Sequence, residues 1–268
     1  MKINRRSFLR GTLIAAGGAA VGAGAVAAPR LFPPGHLPFE GGYAAAADRT
    51  EYERHGQLNA TWYVETDEPV VAFTFDDGPG PKWTSMVLDT LAAFSVPATF
   101  FMVGQNLAAH ADLVRGRLDR HEVGNHSWSH PDFAMMDAPA VSEQIGRAHD
   151  TIKRLTGRET RLLRPPYGHL GGSTMLAADH NGYELVLWSR QMHEAQYVKN
   201  EAGQVTEVVE GVTPGQIVLA HDVGADDRLV ALRHLGEMFT GLRKRGFRFV
   251  TVAELLALRK TPQLPPNT

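Results

Sequence analysis

Two adjacent carboxylates, Asp76 and Asp77, stand at the end of an apolar, β-prone run that begins at Val70. The run stops at Gly78-Pro79, a turn signal, so it is typical of a buried parallel strand. Catalytic sites are built at the carboxyl ends of such strands. Because two ionised carboxylates this close repel each other, we expect a metal ion or an arginine beside them. The alternative is an ordinary turn with a capping Asp and a solvated acid.

A pair of histidines, His126 and His130, is spaced four residues apart. On a helical turn both imidazoles would project from one face, and with one carboxylate they would make a three-ligand metal site that leaves a position for water. No Glu follows His126, so this is not the His-Glu-x-x-His helix of metalloproteases. Two unrelated polar residues in a loop remain the alternative.

Further polar residues follow other predicted strands. Arg164 is expected to orient one of the two acids, although a surface charge fits as well. Two prolines make Tyr167-Gly168 a rigid turn that can aim a backbone N–H into a cavity, or simply a tight turn. His221 ends the apolar run 217–220 and is either part of a site or a satisfied core histidine. The repetition of polar residues at strand ends predicts a single site at one edge of the sheet.

The elements that must position these residues alternate between strand and helix from Val70 to Arg259. About seven β-α units are present, one short of an eightfold barrel, so we predict a parallel sheet covered by helices in a small or incompletely closed α/β barrel. The predicted strands after the first are 97–103, 122–125, 161–164, 183–188, 216–220 and 247–252. The predicted helices are 82–94, 107–120, 139–156, 173–181, 205–210, 227–245 and 252–259.

Composition restricts the function classes. The 268 residues include 27 basic and 29 acidic side chains, a net charge of −2, which argues against a nucleic-acid-binding protein. There is no cysteine, so disulfides and thiolate metal sites are excluded and any metal must be held by His, Asp or Glu.

The amino terminus is predicted to carry a targeting signal. Arg5-Arg6-Ser7-Phe8-Leu9 before a mildly apolar Ala/Gly-rich stretch resembles a twin-arginine export signal, which we assign to residues 1–28. Ala25-Val26-Ala27 or 44–47 offers a cleavage site, and a membrane-anchoring terminus is the alternative. Residues 29–67 are predicted to be a linker or irregular arm, 68–259 the catalytic domain and 260–268 a flexible tail. We therefore expect a protein exported by the twin-arginine route, secreted or cell-wall associated, without a stable membrane span after signal removal.

Taken together, these motifs resemble the polysaccharide deacetylase family with the NodB homology domain, carbohydrate esterase family 4. The resemblance covers Val70 to about Leu258 and rests on Thr-Phe-Asp-Asp-Gly-Pro, His-x-x-x-His, Arg-x-Pro-Tyr and Leu-x-His in the family's order. It implies a distorted, incompletely closed (β/α)7 barrel and one divalent metal ion, with zinc expected and cobalt or nickel as alternatives. It also implies removal of acetyl groups from N-acetylglucosamine polymers, or of O-acetyl groups from xylan.

The resemblance also assigns the central roles residue by residue. It makes Asp77, His126 and His130 the metal ligands. Asp76 becomes the general base that takes a proton from the attacking water, and His221 the general acid that protonates the leaving amine.

The same resemblance assigns four supporting roles. Arg164 would pair with Asp76 and hold it. The backbone N–H of Tyr167 would stabilise the oxyanion. Leu219 and Trp188 would contact substrate, with Leu219 against the acetyl methyl group.

One stretch departs from the family pattern. Many members carry Trp-Ser-x-Asp-x-x-Asp-Trp, whose Asp tunes the general-acid histidine. Here the sequence is Trp188-Ser189-Arg190-Gln191-Met192-His193-Glu194-Ala195. Either Glu194 takes over the tuning role with a longer reach, or this wall is remodelled for another substrate.

The sequence therefore predicts a metal-dependent hydrolase that removes N-acetyl groups from cell-wall or extracellular glycans containing N-acetylglucosamine. One alternative is an O-acetyl esterase on xylan or another acetylated glycan, which the altered stretch permits. A non-catalytic glycan-binding module is the other, and Asp76 and His221 speak against it. An acetylated glycan is the expected partner, nucleic acid is not, and a monomer is expected.

Overall fold

The strands form one parallel sheet in the computed structural model, which describes residues 58–197, 199–225 and 228–259. The sheet order is β1-β6-β5-β4-β3-β2-β8-β7, and β9 pairs with the start of β2. Within the described residues β1 and β7 do not pair with each other, so the sheet curls without closing. The strands are β1 Ala60–Thr61, β2 Val70–Asp76, β3 Thr99–Met102, β4 Glu122–Asn125, β5 Leu162–Leu163, β6 Glu184–Val186, β7 Arg190–Gln191, β8 Gln216–His221 and β9 Arg248–Phe249.

Helices connect most of the consecutive strands and cover the sheet, which confirms the predicted incompletely closed barrel. They are α1 Thr84–Ala93, α2 Gly104–His110, α3 Ala138–Thr156, α4 Gly172–His180, α5 Glu201–Gly211, α6 Arg228–Arg233, α7 Leu235–Lys244 and α8 Val252–Ala257. None of these described helices combines the length and apolarity needed to cross a bilayer.

Two predicted helices differ from those observed. The helix predicted over 227–245 is divided at His234 into α6 and α7. The helix predicted over 107–120 is a short α-helix ending at His110 and a single 3₁₀ turn, Ala111–Leu113. By contrast, α3 ends as expected, because Gly157 adopts a left-handed conformation (φ 70°) and its N–H donates to the Lys153 carbonyl.

The first long strand, β2, is buried along its whole length. Val71, Phe73 and Phe75 pack in the larger core cluster beneath the helices, whereas Val70 and Ala72 belong to a second cluster. Since side chains alternate along a strand, Thr74 and Asp76 share the face of Val70 and Ala72. The inner face of β2 therefore ends in the polar side chain of Asp76, at the mouth of the barrel.

The predicted signal peptide, residues 1–28, and the tail, residues 260–268, lie outside the described residues. Strand β1 falls within the segment 29–67 predicted as a linker or arm, and it pairs with β6. The predicted domain boundaries therefore stay predictions.

Candidate metal centre and active site

Asp76 and Asp77 end β2, and the backbone turns between them. Asp76 pairs in register with His221 of β8 on one side and with Phe101 of β3 on the other. Asp77 has a φ of 76°, which ends the extended conformation of the strand. Both carboxylates consequently line the same cavity.

Arg164 lies fully buried behind Asp76. Its Nη1 donates to Asp76 Oδ1 at 2.7 Å and to Thr74 Oγ1 at 2.8 Å. Its Nε and Nη2 donate to the carbonyl oxygens of residues 186 and 187 at 3.1 and 2.9 Å. A buried charge is tolerated when it is paired and hydrogen-bonded in this way. Arg164 therefore fixes the Asp76 carboxylate through one oxygen.

Three side chains, Asp77, His126 and His130, each bring one ligating atom into a group whose atoms lie within 4.8 Å of one another. Asp77 Oδ1 is 3.5 Å from His126 Nε2 and 3.3 Å from His130 Nε2. Ligands held ~2.0–2.1 Å from a tetrahedral zinc ion lie about 3.3 Å from each other. The donor set and its spacing thus fit a divalent metal ion such as zinc.

The protonation states of His126 and Asp77 also suit them to bind a metal ion. His126 Nδ1 is 2.7 Å from the backbone oxygen of Arg164. A carbonyl oxygen only accepts, so Nδ1 carries the proton and Nε2 presents its lone pair to the group. Burial opposes ionisation of Asp77, but interactions with His126, His221 and His130 hold its pKa well below its usual value. Asp77 is therefore a carboxylate, the form that binds metal.

The loop that carries the two histidines is not helical, so the prediction of a helical turn is wrong. Residues 126–132 form no helix, and Ser127 and His130 have φ values of 71° and 59°. Asn125 Oδ1 accepts from the Ser127 N–H at 2.9 Å, and Ser127 Oγ accepts from the His130 N–H at 2.8 Å. These bonds fold the loop so that the two imidazoles face Asp77.

His221 lies across the cavity and is paired with Glu194. Its Nδ1 is 3.1 Å from Glu194 Oε1, while Gln191 is an exposed residue of β7. Burial lowers the pKa of His221, but the hydrogen bond to Glu194 and the charge of Asp76 together raise it above its usual value. Of the two residues that replace the family's aspartates, Glu194 is therefore the one that contacts the histidine.

The cavity between these groups is small, about 120 Å³. Tyr167, at its rim, adopts a φ of 61°, and its ring centroid lies 4.8 Å from that of His130. Gly168 packs so closely on the Trp188 ring that an added Cβ would lie 2.5 Å from it. The predicted site residues line this cavity, except Arg164, which lies behind Asp76. The lining residues are Asp76, Asp77, His126, His130, Tyr167, Gly168, Trp188, Leu219, His221 and Arg228.

Arg228 is a cavity residue that the sequence did not single out. Its Nη1 lies 3.3 Å from Asp77 Oδ2, the oxygen that does not face the two histidines most closely. The same Nη1 also donates to the Val223 carbonyl, in the loop after His221. Arg228 thus connects the loop after His221 to Asp77, and no local sequence motif predicts this contact.

Asp222 is a second residue that sequence reasoning missed. It is fully buried next to His221, and burial raises its pKa to about 7. Its Oδ2 accepts from Thr84 Oγ1 at 2.6 Å, and that hydroxyl accepts from the Gly80 N–H at 2.8 Å. Through Thr84, Asp222 therefore stabilises the turn that follows Asp77.

Fold and site together define an incompletely closed parallel α/β barrel with two histidines and one carboxylate at the carboxyl ends of its strands, a group that could hold a metal ion. Residues 63–186 match the family model described as polysaccharide deacetylase. The chain is 35% identical over 210 residues to a peptidoglycan-N-acetylglucosamine deacetylase of Bacillus cereus, an alignment covering 78% of this chain and 97% of the relative. The chain belongs to the polysaccharide deacetylase family.

Two other similarities agree with this assignment. Peptidoglycan-N-acetylglucosamine deacetylase PgdA of Listeria monocytogenes is 36% identical over 187 residues, which cover 69% of this chain and 38% of that protein. The crystal structure of a peptidoglycan N-acetylglucosamine deacetylase superposes with a TM-score of 0.69 at 28% identity, covering 74% of this chain and 92% of the other.

Proposed function

We propose that this protein is a metal-dependent deacetylase that hydrolyses the N-acetyl groups of N-acetylglucosamine units in a cell-wall glycan. The observation that carries the proposal is the convergence of Asp76, the Asp77–His126–His130 group and His221 on one cavity. The peptidoglycan deacetylases to which the chain is similar support the choice of substrate. Family membership supports hydrolysis of an amide bond.

Asp77, His126 and His130 would hold the divalent ion, for which zinc is proposed and cobalt or nickel are alternatives. A bound ion of this kind polarises the acetyl carbonyl and lowers the pKa of water from about 15.7 to about 7. Three protein ligands would leave room for water and substrate at the ion, as in other hydrolytic metal sites.

Asp76 accepts the proton of the attacking water in the proposed reaction. Its Oδ1 is held by Arg164, and its Oδ2 lies 3.7 Å from His126 Nε2, on the side of the metal-binding group. Because Arg164 occupies Oδ1, the other carboxylate oxygen is the one available to the attacking water. As the water adds to the acetyl carbon, the proton passes to Asp76.

His221 donates the proton that the departing nitrogen needs when the C–N bond breaks. The raised pKa of His221 keeps the imidazolium available, and Glu194 holds the Nδ1 side so that Nε2 can face the substrate. Acetate and the free amino sugar are the products. Proton acceptor and proton donor thus stand on neighbouring strands, because Asp76 and His221 are register partners.

The remaining cavity residues would position the acetyl group. We assign the Tyr167 backbone N–H to the carbonyl oxygen as that oxygen gains negative charge. Leu219, which is almost fully buried, would contact the acetyl methyl group, and Trp188 would form the wall beside it. Export by the twin-arginine route and a monomeric state remain parts of the proposal that rest on sequence.

Acetate release from acetylated glucosamine oligomers tests the function. We expect release by the zinc-loaded protein, loss on chelation and recovery on adding zinc, with Asp76→Asn inactive. An O-acetyl esterase is the second candidate, since Gln191 and Ala195 alter the stretch beside Glu194. Faster turnover of acetylated xylan than of chitin oligomers would favour that candidate. Equal glycan binding by wild type and Asp76→Asn, with turnover by neither on any substrate, would point to a binding module instead.

A further inference from the structure

A separate cavity of about 320 Å³ lies at the amino end of the barrel. Pro97 and Arg120, which line it, each stand two residues before a strand, and Arg248 is the first residue of β9. The active-site cavity lies at the other end of the same strands. We call the amino-end cavity the arginine pocket, because Arg120, Arg243 and Arg248 all line it.

Three separate segments bring these arginines together. Arg120 precedes β4, Arg243 lies in the last turn of α7 and Arg248 begins β9. Between the last two, Gly246 adopts a φ of 87°, a conformation that favours glycine, and the chain turns there from helix to strand. The sequence around this turn is Arg243-Lys244-Arg245-Gly246-Phe247-Arg248. A short basic run therefore contributes two of the three arginines of the pocket.

The three guanidinium groups keep most of their hydrogen-bond donors. Arg243 Nη2 donates to the Phe94 carbonyl at 2.6 Å, and Arg248 Nη2 donates to Glu68 Oε2 at 2.5 Å. Among the described residues no acceptor is bonded to the Arg120 guanidinium, and all three arginines are exposed to solvent. Each guanidinium has five N–H donors, so a ligand in the pocket can still be offered many of them.

The pocket carries an excess of positive charge. Within the described part of the chain, Glu254 is the one acidic residue that lines it, and its Oε2 already accepts from the Thr251 N–H at 2.7 Å. Glu68 pairs with Arg248 at the surface, where such pairs are weak. Burial first, and then the charge of Arg120 with those of two other arginines, lowers the pKa of the neighbouring His121 to about 4. An anion is therefore the ligand that this end of the barrel favours.

Apolar side chains form the rest of the pocket. Phe247, Phe249 and Val250 line it, and the Arg243 Cζ lies 5.7 Å from the centroid of the Phe249 ring. A cation–π contact of this kind orients the guanidinium. The volume is at the lower end of the range of about 300–1,000 Å³ found for small-molecule pockets. The pocket can thus hold an anionic group together with a small organic part.

We propose that the arginine pocket binds a phosphomonoester, with the phosphate between the guanidinium groups and the organic part against the apolar side chains. Guanidinium groups bind phosphate through paired N–H donors. A phosphomonoester has three free oxygens and up to two negative charges, so it can engage several arginines at once, whereas a carboxylate offers two oxygens and one charge. The proposal does not depend on the deacetylase function, and a ligand bound here leaves the mouth of the active site open.

Calorimetric titration of the full-length, zinc-loaded protein tests the proposal. Phenyl phosphate is the probe, and benzoate, which has the same ring with a carboxylate, is its counterpart. Vesicles of phosphatidylcholine with and without phosphatidic acid test whether the phosphate can belong to a lipid headgroup. The pocket variant is Arg120→Gln/Arg248→Gln.

The matched control is Arg147→Gln/Arg233→Gln. Each double variant removes two exposed positive charges and one surface ion pair, Arg248–Glu68 or Arg147–Glu143. Thermal melts check that both are folded.

We expect phenyl phosphate to bind more tightly than benzoate, with a Kd that rises about tenfold in the pocket variant and is unchanged in the control. Vesicle binding that requires phosphatidic acid and is lost in the pocket variant would assign the site to a lipid headgroup. Binding of phenyl phosphate without binding to vesicles would assign it to a soluble phosphomonoester.

Three results would overturn the proposal. They are no binding of either phosphate source, benzoate binding as tight as that of phenyl phosphate, and an unchanged Kd in the folded pocket variant, which would leave the anion at the zinc ion or elsewhere. Acetate release should be the same in wild type and pocket variant, because the substitutions lie at the opposite end of the barrel. Failure of the arginine pocket is thereby distinguished from failure of the deacetylase function.

Discussion

Buried and partly buried ionisable side chains lie at both ends of the strands, and their partners differ. At the amino end, His121 Nδ1 accepts from the Ala98 N–H at 3.2 Å. Glu122 accepts from Thr99 Oγ1 at 2.8 Å and from the Ala253 N–H at 3.1 Å. Each of these groups is satisfied by a backbone or hydroxyl donor of the surrounding structure, so it contributes to the fold.

At the carboxyl end the ionisable groups face one another across a space. Asp77, His126 and His130 point their ligating atoms at one centre, with Asp76 and His221 beside them. Cavity size alone would favour the amino end as the functional site. A cleft of about 780 Å³ lies there, whereas the cavity at the carboxyl end has a volume of about 120 Å³. The smaller cavity is the one in which donor and acceptor atoms converge, and volume by itself carries no chemistry.

Asp76→Asn is the substitution for which we expect the largest loss of activity, and so the largest difference between the two ends of the strands. It keeps the size of the side chain and its contact with Arg164 but removes the proton acceptor, so kcat should fall by roughly 10²- to 10⁴-fold. Zinc content should remain near one per chain, because the three ligands are intact. The matched change at the amino end, Glu122→Gln, should leave kcat close to that of wild type. Activity that survives Asp76→Asn, or is lost in Glu122→Gln, would break the comparison.

Glu194→Gln should have the next largest effect on kcat, and it should also change the pH dependence of kcat. The negative charge of Glu194 raises the pKa of His221, so its removal lowers that pKa. A proton donor is lost once pH exceeds its pKa, and the alkaline limb of the activity profile should therefore move to lower pH. We expect a loss in kcat of about tenfold at neutral pH, less than the whole contribution of an acid–base group. A profile of kcat against pH that keeps its alkaline limb would exclude this role.

Arg228→Gln tests the ion pair between Arg228 and Asp77, one of the three proposed metal ligands. Arg228 holds Asp77 Oδ2, which leaves Oδ1 towards the histidines. Loss of such an outer partner should weaken zinc binding by about tenfold, measured by competition with a chromophoric chelator. Arg233→Gln, at the exposed end of the same helix, controls for loss of one positive charge. Unchanged or tighter binding in Arg228→Gln would show that Asp77 is positioned without it.

Much of this site could be predicted because it follows the strand ends. Alternating strand and helix patterns predict the barrel, and a parallel barrel necessarily gathers Asp76, His126, Arg164 and His221 at one edge. The residues before Val70 show no comparable pattern, so β1, with only two paired residues, cannot be predicted from the sequence.

Other features depend on contacts between segments far apart in sequence. The loop from His126 to His130 owes its shape to hydrogen bonds that the side-chain oxygens of Asn125 and Ser127 accept from its backbone, whereas spacing alone predicts a helical turn. Arg228 reaches Asp77 across 151 positions of the chain. The family pattern left two residues that could tune His221, and only the three-dimensional structure selects Glu194 over Gln191.

His121→Asn should have the smallest effect on activity and should act on stability instead. Burial, with the positive charges of Arg120, Arg158 and Arg117, lowers the pKa of His121 to about 4. In the unfolded chain the imidazole takes up a proton near pH 6.5, so the unfolded state binds more protons and stability is lost as pH falls from about 6.5 towards 4. Asn can accept from the Ala98 N–H as Nδ1 does, but it cannot be protonated.

The variant should therefore lose less stability than wild type between pH 7 and pH 5, by an amount on the order of 1 kcal/mol after allowance for solvent screening. Urea unfolding at the two pH values measures it, and acetate release at pH 7 should match wild type. Because the same substitution at His126 would remove a metal ligand, a pair of His→Asn variants distinguishes the two ends of the barrel directly. Loss of zinc in His121→Asn, or parallel stability curves for wild type and variant, would show that this histidine is not a neutral structural group.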